Sequence, residues 1–337
     1  MFKNLLNKLI EKQNLTSSEM THLIKQFTEN QVDPIEAAGI LVAFTMKGET
    51  TEELITAAKI LKQSMQPFNY EPGPHDVDVV GTGGDRHHLF NVSTTAAFVV
   101  AAAGGRVIKH GSRAASGNSG SADVLVAAGL NLDQSSEKIK IGLEKWNIAF
   151  LFAPRHHPAF QSSREIRKTL GIPTLFNLLG PLLNPASVRR QLMGVSQTRW
   201  LKPAAEVLKA LGSEHAMVVR SEEGLDEISC AGPTQVIELK KGQFREYTIK
   251  PEDFGLKSSL IESLVVKTSQ ESLAIIQHVL ANKPGPARDI VLLNAAAGLY
   301  CADCVSDLQT GFLRAQEALA SGKAASVFQG FIEGSTY

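Results

Sequence analysis

Apolar residues in the first 66 positions recur at helical spacing. Leu5, Leu6, Leu9 and Ile10 predict a first amphipathic helix. Thr16-x-x-Glu19 is a capping box, each residue satisfying an orphan backbone N–H of the other, and it opens a second helix to about Phe27. Asp33-Pro34 sets a favoured cap before a proline at the first helical position and predicts a third helix across 37–44. Thr50-x-x-Glu53 opens a fourth across 54–61. Each helix is short and amphipathic, so each must pack on something. The outer side of such a bundle is a candidate dimer surface.

Pro67, Pro72, Gly73 and Pro74 form a linker, and the texture then changes to β/α alternation. Apolar runs suit strands at 76–80, 106–109, 148–152, 190–195 and 214–220, with helical stretches between them, one of them at 94–103. Residues 234–249 read as a hairpin across a Lys-Lys-Gly turn, and helices are expected at 268–281, 285–301 and 305–321. The segment 155–185 breaks this rhythm: prolines bracket a short basic helix carrying Arg164, Arg167 and Lys168. The expected fold is α/β: a small all-helical N-terminal domain (1–66) and a large α/β domain (75–159 and 186–337) with a central mixed sheet flanked by helices. Residues 160–185 are expected to return to the helical unit as a hinge.

The totals narrow the function. Of 337 residues, 43% are apolar and 20% charged, the profile of a globular chain, long enough for one large and one small domain. Lys+Arg and Asp+Glu balance at 34 each, so no global field points to nucleic acid or to an anionic membrane. No run approaches the ~20 apolar residues that span a bilayer. The N-terminus is amphipathic at once, without a signal-peptide core, so the cytoplasm is expected. Cys230, Cys301 and Cys304 are too few and too uneven for a disulfide framework, and Cys301-x-x-Cys304 has no second pair for zinc.

Three segments carry candidate chemistry. Gly81-Thr-Gly-Gly-Asp85 follows an apolar run, and after Asn91-Val92-Ser93-Thr94 comes the helical run 94–103. Glycines let backbone N–H groups close on an oxyanion, and a helix N-terminus adds partial positive charge. Asp85 is an anionic group that a pure phosphate cradle rarely wants; it suits a ribose hydroxyl or a metal-bound water. Lys109-His-Gly-Ser-Arg113 through Ser116, Gly117 and Ser121 to Asp123 is a second glycine-serine loop after a strand, able to converge several donors on a diphosphate. Asp226-Glu227 offers adjacent carboxylates just past a strand, a pattern that suits Mg²⁺ shared with substrate phosphates. Among the histidines, His110 and His157 are the ones placed to face a ligand.

Together these motifs resemble the anthranilate phosphoribosyltransferases. The matching pieces include Gly81–Asp85, Asn91–Thr94, Lys109-His-Gly-x-Arg113, Ser116–Asp123, His157-Pro-Ala159, Arg167-x-x-Leu-Gly171, Phe176 to Pro185 and Leu225-Asp-Glu-Ile228, in family order over nearly the whole chain. The resemblance implies a fold shared with pyrimidine nucleoside phosphorylases, a homodimer joined through the helical domain, and transfer of a phosphoribosyl group from phosphoribosyl diphosphate to the amine of anthranilate. It implies a donor site of Gly81, Gly84, Asp85, Leu89, Asn91, Val92, Ser93, Thr94, Lys109, Ser116, Gly117 and Ser121. Gly81, His110, Ser112, His157 and Arg167 would meet anthranilate, Arg167 at its carboxylate. Ser93, Asp226 and Glu227 would serve two Mg²⁺ ions. No catalytic acid or base is implied, since positioning and electrostatics suffice.

The chain departs from the family pattern at a few places. Arg86 stands where glycine is usual, Leu89 where threonine is, Ser112 for asparagine, Phe160-Gln161 for Met-Lys and Val126 for glutamate. The other readings are a transferase for a different aromatic amine, a pyrimidine nucleoside phosphorylase-like enzyme, and a non-catalytic nucleic-acid-binding relative. The acidic pair opposes the phosphorylase; the retained glycine-Asp loop and neutral charge oppose the nucleic-acid binder. A dinucleotide-binding oxidoreductase fails because Arg86 breaks the G-x-G-x-x-G fingerprint.

Overall fold

The computed structural model describes residues 2–114, 118–158, 160 and 163–335. Four helices open it: α1 (Phe2–Ile10), α2 (Ser17–Thr28), α3 (Pro34–Lys47) and α4 (Thr51–Ser64). The caps form as the sequence demands. Thr16 and Thr50 close complete capping boxes with Glu19 and Glu53, and the Asp33 carboxylate accepts from the Ile35 and Glu36 N–H groups. Each such cap contributes about 1 kcal/mol. Glu53 does more: it accepts from the Leu15 N–H and pairs at 2.8 Å with Lys47, so one buried ion pair ties the α1–α2 turn to the ends of α3 and α4.

The α/β region is built on a seven-stranded sheet in the order β3-β2-β1-β4-β5-β6-β7. The strands are β1 (Asp76–Gly81), β2 (Arg106–Gly111), β3 (Ile148–Phe152), β4 (Arg190–Gly194), β5 (His215–Ser221), β6 (Thr234–Lys240) and β7 (Gln243–Ile249). β1 to β5 run parallel, while β6 and β7 are the antiparallel hairpin at one edge. The five parallel strands and the hairpin fall where the apolar runs predict them. The helix after β1, α5 (Val92–Ala102), starts two residues earlier than expected. A last helix, Lys323–Gly334, lies beyond those the pattern predicts: Gly322, at φ 74°, breaks it from the helix 308–320 before it.

Each face of the sheet has its own core. On one face β1, β2 and β5 pack against α5 and the C-terminal helices, with Val99, Val291, Leu292 and Ala296 all buried. On the other, Met193, Ala216 and Val218 share a continuous core with α1–α4 through Leu175, Phe176, Leu178 and Leu179. The helix Leu175–Leu179 therefore serves both units: Phe176 meets Phe27 of α2 edge to face, ring centroids 5.4 Å apart. Among the described residues no helix is long and apolar enough to cross a membrane. Cys230 and Cys301 are free and buried, and burial holds both thiols above their ordinary range, so they are inert core side chains.

Candidate active site

The strand order reverses between β1 and β4: the chain leaves β1 for β2 and β3, then returns to lay β4 on its other side. In open parallel sheets the crevice outside the carboxyl ends of the strands at such a switch point is the natural ligand site. Gly81 ends β1, Gly194 ends β4, and the two are paired in register. A Cβ on Gly81 would collide with the Asp226 carboxylate, and one on Gly194 would overlap the Asp226 backbone carbonyl. The loop after β5 thus reaches across β4 to β1 because two strand ends carry no side chain.

Its carboxylates then meet the first glycine loop directly. The Gly83 N–H donates to Asp226 Oδ2 at 2.6 Å, and the Ser93 N–H, in the first turn of α5, donates to Glu227 Oε1 at 3.0 Å. Lys109, at the end of β2 and 3% exposed, donates its ammonium to the Val79 carbonyl and, at 3.3 Å, to Ser93 Oγ. Gly81, Gly84, Ser93, Lys109, Asp226 and Glu227 are thereby gathered at one crevice. Gly83 and Gly84 take φ of 64° and 77°, which turn the loop back on itself.

The charges there are unbalanced. Burial, then repulsion from Asp85, raises the Asp226 carboxyl to about 7. Burial and Asp226 push Glu227 well above the usual range, and burial also raises Asp85. Burial lowers the Lys109 ammonium in turn, with Asp78, Glu227 and Asp226 opposing. Three acids facing one buried lysine make a site that lacks positive charge. Among the described residues no three His, Cys, Asp or Glu side chains form a ready-made metal cage. Two adjacent carboxylates are donors that a hard cation can share with phosphate oxygens.

The second loop is bound to the first. Asn91 donates to the Ser119 carbonyl at 3.0 Å, and its Oδ1 accepts from Ser119 Oγ and Ser272 Oγ. Asp123 gathers the loop, accepting from the Ala114 and Gly120 N–H groups and from Arg113. Ser121 donates to the Ser112 carbonyl at 3.3 Å. Ser116 and Gly117 lie outside the described residues. Val92 is buried in the core, the Thr94 hydroxyl is buried without a partner among the described residues, and Leu89 bridges Val265.

A different wall stands beside β2. His110, His157, Phe160 and Phe176 form a chain of rings with centroids 4.9, 5.2 and 5.3 Å apart, and the Arg167 guanidinium lies 5.7 Å over Phe176. Among the described residues His110 Nε2, His157 Nε2 and Arg167 Nε are buried without a hydrogen-bond partner, while Arg167 Nη2 donates to Asn177 Oδ1 at 3.5 Å. Burial drives the His157 ring down to about 4 and His110 well below its ordinary value, and it lowers Arg167 only to about 10. Near neutral pH the wall presents two neutral imidazoles and one full cation whose buried polar atoms await a partner. An aromatic carboxylate supplies both the ring and the counter-charge.

Sequence reasoning missed the support beneath this wall. Asp78 is 1% exposed, accepts from Asn184 Nδ2 at 2.8 Å and from the His110 N–H at 3.3 Å, and is raised by burial to about 6. A lone acid inside Val77-Asp-Val-Val80 was the available signal. Ser119 and Ser272 gave none.

The N-terminal segment, residues 3–65, matches the glycosyl transferase family helical bundle domain, and residues 73–325 match that family's a/b domain. The anthranilate phosphoribosyltransferase of Legionella pneumophila strain Lens is 46% identical over 326 residues, 97% of this chain and 94% of that protein. This chain belongs to the anthranilate phosphoribosyltransferase family. The crystal structure of the Thermus thermophilus family member superposes with a TM-score of 0.90 at 37% identity, covering 99% of both chains. The Saccharomyces cerevisiae member in complex with phosphoribosyl diphosphate and Mg superposes at 0.89 with 27% identity, covering 99% of this chain and 98% of that one.

The departures from the family pattern now have structural content. Arg86 adopts φ 66°, a left-handed conformation that glycine takes without strain, and His88 adopts 56°. Both side chains are exposed. Leu89 spends its position on strand-like pairing with Val265, while the Phe90 N–H donates to the Leu264 carbonyl.

The raised acids predict a pH slope. The folded protein keeps Asp226 protonated at pH values where the unfolded chain has already ionised it, so it binds more protons folded than unfolded. Without a cation, stability should therefore fall as pH rises from about 4 to about 7. Denaturant melts across that range should show the fall, and Asp226→Asn should flatten it; equal slopes would remove Asp226 from the account.

Proposed function

We propose that the chain transfers the 5-phosphoribosyl group of phosphoribosyl diphosphate to the amine of anthranilate. One observation carries this reading. A glycine loop, a helix N-terminus, a buried lysine and two under-compensated carboxylates meet at the switch point, and the ring wall that ends in the buried Arg167 guanidinium stands beside them.

The roles follow from the chemistry. Gly81, Gly84, Asn91, Ser93, Thr94 and Lys109 cradle the donor, with Ser116, Gly117 and Ser121 of the second loop completing the cradle. Asp85 takes the ribose side. Asp226, Glu227 and Ser93 hold two Mg²⁺ ions, whose charge offsets that of the leaving diphosphate. His110, His157 and Ser112 frame anthranilate, and Arg167 takes its carboxylate. The amine lone pair forms the new bond to the anomeric carbon as the carbon–diphosphate bond breaks, its electrons leaving with diphosphate and the amine proton passing to solvent. An arylamine is nucleophilic while neutral, so the site needs positioning and charge rather than a strong base. Residues 160–185 form the hinge between the helical unit and the α/β unit, and the chain works in the cytoplasm.

The helical unit also offers a second copy a face. Ile10 of α1 and Ile35 and Met46 of α3 are 65%, 83% and 78% exposed, too much bare apolar surface for an isolated helix pair. Homodimerisation through α1 and α3 covers them.

Two measurements test these assignments. Anthranilate fluorescence should fall when the protein meets phosphoribosyl diphosphate and Mg²⁺, and Arg167→Ala should raise KM for anthranilate by roughly 10- to 100-fold, the loss of a charge-assisted hydrogen bond. No fluorescence loss at high protein concentration, or an equal rise in donor KM, defeats the assignment. Light scattering should give the mass of two chains, with Ile35→Glu shifting it towards one; a monomeric parent protein rejects the dimer.

A further inference from the structure

We infer that His87 is a positioning residue, tying the acidic loop to the glycine loop so that Asp226 and Glu227 stay in place when their carboxylates turn to a cation. The inference deepens the proposed function and rests on it for the identity of the cation and donor.

Three hydrogen bonds join the glycine loop and the start of α5 to the loop after β5. Two of them, Gly83 N–H to Asp226 Oδ2 and Ser93 N–H to Glu227 Oε1, end on the carboxylates that the proposed function gives to a cation. The third runs between His87 Nε2 and the Glu223 backbone carbonyl, 2.9 Å apart, and leaves the carboxylates free. A carbonyl can only accept, so Nε2 carries the proton, and the contact survives whether the ring is neutral or charged. A cation that reorients either carboxylate leaves this third bond untouched.

The loop is shaped to deliver this ring. The His87 N–H donates to Asp85 Oδ1 at 3.1 Å, and left-handed Arg86 and His88 flank it, so its side chain turns inward while theirs stay exposed. The receiving turn fits it: Gly224 has φ 101°, and a Cβ there would sit 3.8 Å from His87 Nε2. Glu223 is anchored from behind by Ser229 Oγ, which donates to its Oε1 at 2.9 Å. The strained stretch that departs from the family pattern therefore has a use.

The test uses the full chain with His87→Ala and His87→Gln, the glutamine amide restoring an N–H at similar reach. In Mg²⁺-free protein, hydrogen–deuterium exchange across 221–228 should quicken roughly fivefold or more in the alanine variant, the loss of about one hydrogen bond, with the α1–α4 peptides unchanged. The Mg²⁺ concentration for half-maximal turnover should rise by about fivefold while kcat at saturating Mg²⁺ stays within about twofold. Glutamine should restore both readings. Unchanged exchange in 221–228, an unchanged Mg²⁺ requirement in an active enzyme, faster exchange spread over the whole chain, or a glutamine variant no better than alanine each overturns the inference. A parent protein inactive with phosphoribosyl diphosphate, anthranilate and Mg²⁺ defeats the functional reading instead; the exchange arm reads the tie without substrate.

Discussion

The structure turns on the approach of Asp226 to two strand ends that carry no side chains. Gly81 and Gly194 lie side by side at the switch point, and the loop after β5 crosses β4 to settle over them. Without that approach the acidic pair and the glycine loop would belong to separate strands. With it, a helix N-terminus, a buried lysine and two carboxylates share one small volume. The site's chemistry is a consequence of a packing permission.

Electrostatic frustration is the second constraint. Burial raises Asp226, Glu227 and Asp85 together, while Lys109, whose charge opposes the shift of Asp226 and Glu227, is itself depressed by burial. A protein optimised only for stability would not leave these acids facing one another. In the proposed function a cation and a polyanion arriving together resolve the conflict, and so would favour the loaded state over the empty one. The ring wall shows the same imbalance: among the described residues one buried nitrogen each on His110, His157 and Arg167 has no partner. Asp78 and Asn184 hold that wall from below.

Much of the fold was legible because it rests on local rules. Capping boxes at Thr16 and Thr50, the Asp33-Pro34 start, the apolar runs for β1 to β5 and the hairpin of β6 and β7 all formed as their residue types require. The last helix escaped because one glycine, Gly322, separates two helical stretches that read as a single ending. In the site, glycine loops and paired acids announced themselves by composition. The links among them did not: Asn91 to Ser119 and Ser272, Asp78 to Asn184 and His87 to Glu223 span 28 to 181 positions of sequence. Such pairings depend on topology, which no local pattern encodes. Arg86 was visible as a departure, but its meaning waited on a backbone angle.

Calorimetry of phosphoribosyl diphosphate binding to the wild-type protein and to Gly194→Ala, each with and without Mg²⁺, tests the central claim most directly. A methyl at that position collides with the Asp226 backbone and pushes the acidic loop off the strand ends. Wild-type affinity should rise with Mg²⁺, and the alanine variant should lose that rise and bind at least about tenfold more weakly, the effect of displacing a charged contact. A Gly194→Ala protein that binds the donor as tightly as wild type, with the same Mg²⁺ dependence, would contradict the account.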